Sequence, residues 1–184
     1  MDTINRITNS LNILDFIKAL ITFMAFIFGL FIIFYRSIIV FWRLGKNLGK
    51  KVFIFCPTGG KRDDGTDKDM ERELSVLKSS GYFNLAKGIV TDFNNIVPED
   101  IESAGIVVLG YHKEMCHFED FIQMVKQANK PLIIYTFELG YPLSEEHRKI
   151  ICNYKWYALS SMPLRLVSDL FSIMSSYQYE SKRS

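Results

Sequence analysis

The chain has 184 residues, 48% of them hydrophobic, with 22 basic and 20 acidic side chains and a formal net charge of +2. Residues 1–50 hold 6 basic and 2 acidic groups, which leaves 16 and 18 in residues 51–184 and a balance there of −2. The positive excess belongs to the N-terminal flank, so the composition gives no footprint for direct nucleic-acid binding, and three dispersed cysteines imply no disulfide framework.

Residues 1–14 are too short to fold alone. From Phe16 to Tyr35 the sequence reads FIKALITFMAFIFGLFIIFY, with Lys18 as its only charge. A run of about 20 apolar residues matches the hydrocarbon thickness of a bilayer when helical. It predicts a single transmembrane helix, continued as an interfacial extension to residue 44 and anchored by Trp42 and the basic residues around it. Arg36, Arg43, Lys46, Lys50 and Lys51 follow the run, whereas only Arg6 and Lys18 precede or enter it. That asymmetry puts the C-terminal part in the cytoplasm. Lys18, Thr22, Ala25, Gly29 and Arg36 fall on one stripe at helical spacing, amid bulky Phe, Ile, Leu and Met. Small and hydroxyl residues permit close helix approach in lipid, so the stripe is either a seam for a homo-oligomer or pore, or one face of a monomeric anchor.

Residues 45–51 read as a linker, after which strands and helices alternate across residues 52–178, ahead of a polar tail at 179–184. Val52–Cys56 is a buried-type strand. Thr66 and Asp69 suggest a capping box for a helix from Asp67 to about Ser79, ended by Gly81. Gly88–Thr91 is expected as a second, edge-type strand. Pro98 opens a short helix through Ala104, and Ile106–Leu109 is the third strand. Apolar spacing makes Phe118–Asn129 a helix; Leu132–Thr136 is the fourth strand. Ser144 caps a helix through Ile151, Trp156–Leu159 is the fifth strand, and Pro163 opens a last amphipathic helix to about Ser176. The fold class is therefore α/β, a five-stranded doubly wound parallel sheet of Rossmann or flavodoxin-like type in the order 2-1-3-4-5.

Ligands of such sheets bind outside the carboxyl ends of the strands. That rule selects Pro57, Thr58, Gly59, Gly60 and Lys61; Thr91 and Asp92; Gly110, Tyr111 and His112; Thr136, Phe137 and Glu138; and Ser160 with Ser161. Thr58, the two glycines and Lys61 offer backbone approach, a hydroxyl and a cation to an anion, but they form neither a Walker A loop nor G-x-G-x-x-G. His112, Cys116 and His117 lack a fourth ligand at zinc-like spacing, so no metal and no resident cofactor is expected. Cys56, Cys116 and Cys152 are expected as reduced thiols, two of them near core segments.

Two resemblances follow from these residues. Asp92–Pro98 with Ile101 and Ala104, then Ile106–Leu109, then Cys116-His-Phe-Glu119 resembles TIR domains, with Met115 where such domains carry a Trp. That resemblance implies NAD hydrolysis assisted by Glu119, or an interaction adaptor. The single N-terminal span joined to a Rossmann-like domain with a Thr-Gly-Gly loop resembles the CARF-type accessory membrane proteins of CRISPR systems. That resemblance implies an antiviral effector whose domain binds a nucleotide second messenger, such as cyclic oligoadenylate, and whose oligomerised helix perturbs the lipid bilayer.

Overall fold

The computed structural model describes residues 2–59, 61, 65–85, 88–137 and 143–177, with the side chains of residues 2–14 and of Arg36 outside that description. The chain divides into two compact units, Met1–Trp42 and Arg43–Ser184. Gly60, Glu138 and the tail 179–184 lie outside the described residues.

The first unit belongs to helix α1, which runs Asp2–Leu48. Within it Asp15–Tyr35 is long and apolar enough to cross a membrane, with a mean hydropathy of 2.5 and none of it buried in the chain. The two polar side chains at its start are satisfied within the helix. Thr22 Oγ1 donates to the Lys18 carbonyl at 2.9 Å, and Lys18 lies 3.8 Å from Asp15. Ala25 and Thr22 are exposed and a Cβ at Gly29 would meet nothing within 4 Å, so the chain itself leaves this stripe uncovered.

The expected linker is not a loop. The helix passes through Gly45 and ends at Leu48, because Leu44 and Leu48 pack against the core of the second unit, and that burial outweighs the roughly 1 kcal/mol helix penalty of a glycine. Asn47, also in this last turn, is buried and donates from Nδ2 to the carbonyls of Met174 at 2.6 Å and Tyr177 at 3.4 Å.

The second unit is built on an all-parallel sheet of β1 (Lys51–Phe55), β2 (Asn84–Leu85), β3 (Ala104–Gly110), β4 (Leu132–Tyr135) and β5 (Tyr157–Ser160), ordered β2-β1-β3-β4-β5. Period-two alternation sends Phe53, Phe55, Val107, Leu109, Leu132 and Ile134 to one face. There they meet α3 (Pro98–Ser103), α4 (Phe118–Gln127) and α5 (Glu145–Ile151). Val52, Ile54, Ile106, Val108, Ile133 and Tyr135 point to the opposite face, against α2 (Glu71–Ser80) and α6 (Pro163–Ser176). Both faces are covered, as a parallel sheet requires.

Two local expectations are corrected. The helix expected from Asp67 starts at Glu71. Its N-cap is Met70 in the left-handed conformation, φ 61°, and Asp69 Oδ1 accepts from the Glu71 N–H at 3.1 Å, so no Thr66 capping box forms. The second strand is Asn84–Leu85, not Gly88–Thr91. Val90 makes one isolated parallel bridge to Phe55, bonding Ile54 and Cys56, so the expected segment contributes a single rung. None of the three cysteines forms a disulfide; Cys56 is buried, and Cys116 and Cys152 are exposed, the latter directly after the buried Ile151.

Candidate functional site

The carboxyl ends of the strands carry three different environments. After β1, Thr58 and Gly59 are exposed, and Gly59 has φ 120°, a backbone that suits glycine. Lys61 is exposed and forms an antiparallel bridge with Asp67. Thr91 is exposed beside Asp92, whose carboxylate accepts from the Asn94 N–H at 2.9 Å and so caps a short 3₁₀ turn.

At the end of β3 the selected residues are packed into the fold. Gly110 is buried, and a Cβ there would lie 2.5 Å from Cys56 Sγ. The same thiol donates to the Lys68 carbonyl at 2.9 Å. Tyr111 is buried on the α4–α5 face, where its hydroxyl accepts the Ser144 N–H at 3.1 Å and lies 3.0 Å from His147 Nδ1. Ser144 caps α5 by accepting from the His147 N–H, and the His147 ring stacks on Phe118. Burial lowers the His147 pKa, against the opposing effect of Glu146. Burial also lowers that of His112, reinforced by Lys68 and opposed by Glu114 and a hydrogen bond to the Pro57 backbone.

Both shifts have the same sign. A histidine held neutral in the folded state takes up its proton more readily when unfolded, so stability is complete above about pH 6.5 and is lost as pH falls below it. Thermal melts of the full chain in detergent should show a falling midpoint between pH 7.5 and 5.5. A midpoint that rises over that interval would contradict these environments.

At the ends of β4 and β5 the structure opens a cavity of about 240 Å³. Arg72 and Glu73 line it from the first turn of α2, Tyr135 and Phe137 from β4 and the residue pair after it, and Ser161 and Pro163 from the start of α6. Glu73 has no solvent exposure, and its Oε1 accepts the Tyr135 hydroxyl at 2.9 Å. Phe137 adopts φ 64° and packs edge-on against Tyr135, with Lys68 Nζ 6.0 Å from its ring centre. Ser160 stands opposite Tyr135 in the β4–β5 register, is 2% exposed, and its Oγ has no hydrogen-bond partner among the described residues.

Of the residues selected from strand ends, Phe137 and Ser161 therefore meet in one cavity, with Thr136 buried beside it and bonded through its N–H to the Ser160 carbonyl at 2.8 Å. Thr58, Thr91 and His112 do not line it. Glu119 is exposed in the first turn of α4 and is not among the residues that line this cavity. His117, two residues before it, stacks on Phe93 and lies 3.5 Å from Asp120. Among the described residues no group of three or more His, Cys, Asp or Glu is placed to hold a metal.

Sequence reasoning missed Arg72, Glu73 and Tyr135. The available signal was the spacing Met70, Glu73, Leu77, which puts a carboxylate on the apolar stripe of α2 between two fully buried side chains. A buried acid there requires donors, and the Tyr135 hydroxyl is one of them. No protein-family model matches the chain, and no curated protein matches it significantly.

Proposed function

We propose that the chain is a membrane-anchored sensor–effector, of the antiviral-defence kind that the CARF resemblance implies. Its α/β domain binds a nucleotide second messenger at the carboxyl edge of the sheet and passes that event to the apolar helix. The domain faces the cytoplasm, and the helices act as a homo-oligomer that makes the bilayer leak.

The observation that supports this reading is the course of α6. The helix begins at the cavity, where Pro163 is part of the lining, and ends on α1, where the carbonyls of Met174 and Tyr177 receive the Asn47 amide. A rigid 14-residue helix thus has one end at the candidate site and the other on the last turn of the helix that carries the apolar segment. A ligand that shifts the α6 N-terminus between two positions has a mechanical path to residue 47.

The test uses the full chain in dye-loaded liposomes, with binding measured in parallel on a panel of cyclic oligoadenylates and mononucleotides. Asn47→Leu keeps the branched shape and removes both donors, so ligand affinity should stay within about threefold while ligand-triggered leakage falls at least about tenfold. Gly29→Leu should leave binding unchanged and also abolish leakage, since nothing within the chain touches that position. Leakage that survives both substitutions reduces α1 to an anchor.

A further inference from the structure

The two edges of the sheet differ in charge. Each helix from α2 to α5 begins at the carboxyl edge with two acidic residues in its first turn, and α2, α4 and α5 return to the amino edge with Lys78, Lys126 and Lys149 in their last turns. Helix dipoles account for that much. They do not account for the lysines that stand outside any helix: Lys51 opens β1, Lys50 precedes it, Lys130 stands two residues before β4 and Lys155 two before β5.

Strand pairing gathers these residues into one row. Lys51 pairs with Ala104 at the start of β3, the Val107 N–H donates to the Pro131 carbonyl, and the Leu132 N–H donates to that of Trp156. Neighbouring strands lie roughly 4.8 Å apart, so the three spacings from β1 to β5 set Lys51, Lys130 and Lys155 along roughly 15 Å. Burial lowers the Lys50 pKa, and Lys130 and then Lys46 lower it further, so these cations stand near one another. α3 ends at the same edge and brings Asp100 and Glu102, of which Asp100 shares a small cavity with Lys51. Even with both acids counted, the edge keeps a positive excess among the described residues.

The chain leads from an apolar helix directly to this edge. Exposed apolar side chains continue past Tyr35 to Phe41 and Trp42, and the residues that follow, Arg43–Leu48, make about 9 Å of helix. Arg43 and Lys46 lie in that stretch, and Lys51 starts the sheet just after it. Tyr82, 61% exposed in the connection from α2 to β2, adds an aromatic side chain of the kind enriched at bilayer interfaces.

We infer that the amino edge of the sheet is a docking surface for anionic phospholipid headgroups, with Lys51, Lys130 and Lys155 set against the phosphates and Arg43 and Lys46 beside them. Complementary charge selects this occupant. A zwitterionic surface has no net charge to answer the excess, whereas an anionic leaflet favours each lysine brought close to it by about fivefold. Docking by this edge leaves the carboxyl edge, with the candidate cavity, on the aqueous side, where a soluble ligand can reach it. The inference rests on the reading that Asp15–Tyr35 lies in the bilayer and is independent of the ligand's identity.

The two exposed cysteines supply the test, because Cys152 follows α5 at the amino edge and Cys116 precedes α4 at the carboxyl edge. The full chain, with a fluorophore on one of them and serine in place of the other, is reconstituted into vesicles that carry a headgroup-linked quencher. The vesicles are phosphatidylcholine alone or phosphatidylcholine mixed with phosphatidylglycerol. The label on Cys152 should be quenched in the anionic vesicles and relieved by about 1 M salt, where the Debye length is about 3 Å, and the label on Cys116 should respond to neither. Lys51→Gln with Lys155→Gln, both at exposed positions, should lower the docked-to-free ratio about 25-fold, whereas Lys113→Gln, after the end of β3, should leave it unchanged. Equal quenching of the Cys152 label in both kinds of vesicle, or stronger quenching of the Cys116 label, overturns the docking surface and leaves the spanning segment standing. Release of the whole chain from both kinds of vesicle by salt overturns the span, and this inference with it.

Discussion

Gly110→Ala should destabilise the second unit by about 3 kcal/mol, the upper end of what forcing one extra carbon into a packed core costs. The added Cβ would lie 2.5 Å from Cys56 Sγ, 3.0 Å from Cys56 Cβ and 3.0 Å from Met70 Sδ. The cysteine side chain cannot move aside cheaply. Its Sγ donates to the Lys68 carbonyl, and its own backbone N–H is held by Val90. Met70 is fully buried in the left-handed conformation at the start of α2, so its displacement would disturb Arg72 and Glu73 as well. Urea denaturation followed by circular dichroism measures the change. A loss below about 0.5 kcal/mol, the range of a tolerated surface substitution, would show that β1 and β3 are less tightly apposed than described. The double change Cys56→Ala with Gly110→Ala should recover much of the loss, because it deletes the atom that is struck first.

The second large effect is expected at Tyr135→Phe. The change removes one oxygen and leaves the ring where it is, so packing against Phe137 is retained. What is lost is the hydroxyl that donates to Glu73 Oε1 at 2.9 Å inside a site with no solvent exposure at the acid. A buried acceptor deprived of a donor costs about 1–3 kcal/mol. Tyr135→Phe combined with Glu73→Leu should cost less than the sum of the two single changes, since the hydrogen bond between them can be lost only once. The double-mutant cycle measured by urea denaturation gives the coupling directly, and a coupling near zero would mean that the hydroxyl does not serve Glu73.

Much of the fold was legible because three strands announce themselves. Val52–Cys56, Ile106–Leu109 and Leu132–Thr136 are short apolar runs bounded by turn residues, and each is a central strand covered on both faces. Pro98, Ser144 and Pro163 marked helix starts by chemistry that does not depend on tertiary context, and α3, α5 and α6 begin there. What was not legible is what long-range packing decides. Asn84–Leu85 pairs with β1 over two residues only, too few to leave an alternating pattern, whereas Gly88–Thr91 is the more apolar segment. Gly45 looked like a break, but Leu44 and Leu48 find the domain core and hold the helix through it. The candidate cavity was half visible. Strand ends named Phe137 and Ser161, while Arg72 and Glu73 come from the start of a helix that begins four residues later than the spacing predicts.

The strand order also has a consequence in time. β1 lies between β2 and β3, and both partners follow it in the chain, with Phe55 paired to Leu109. During synthesis the sequence Val52–Phe55 therefore emerges before either neighbour exists, and the centre of the sheet must wait for a contact of large sequence separation. Parallel pairings of this kind close slowly and leave an apolar edge uncovered while they do. The segment of α1 that is long and apolar enough to cross a membrane leaves the ribosome earlier still, before the sheet can be completed. Until residues 104–110 arrive, β1 lacks the neighbour with which it shares five paired positions, and its apolar edge is covered from that side only afterwards.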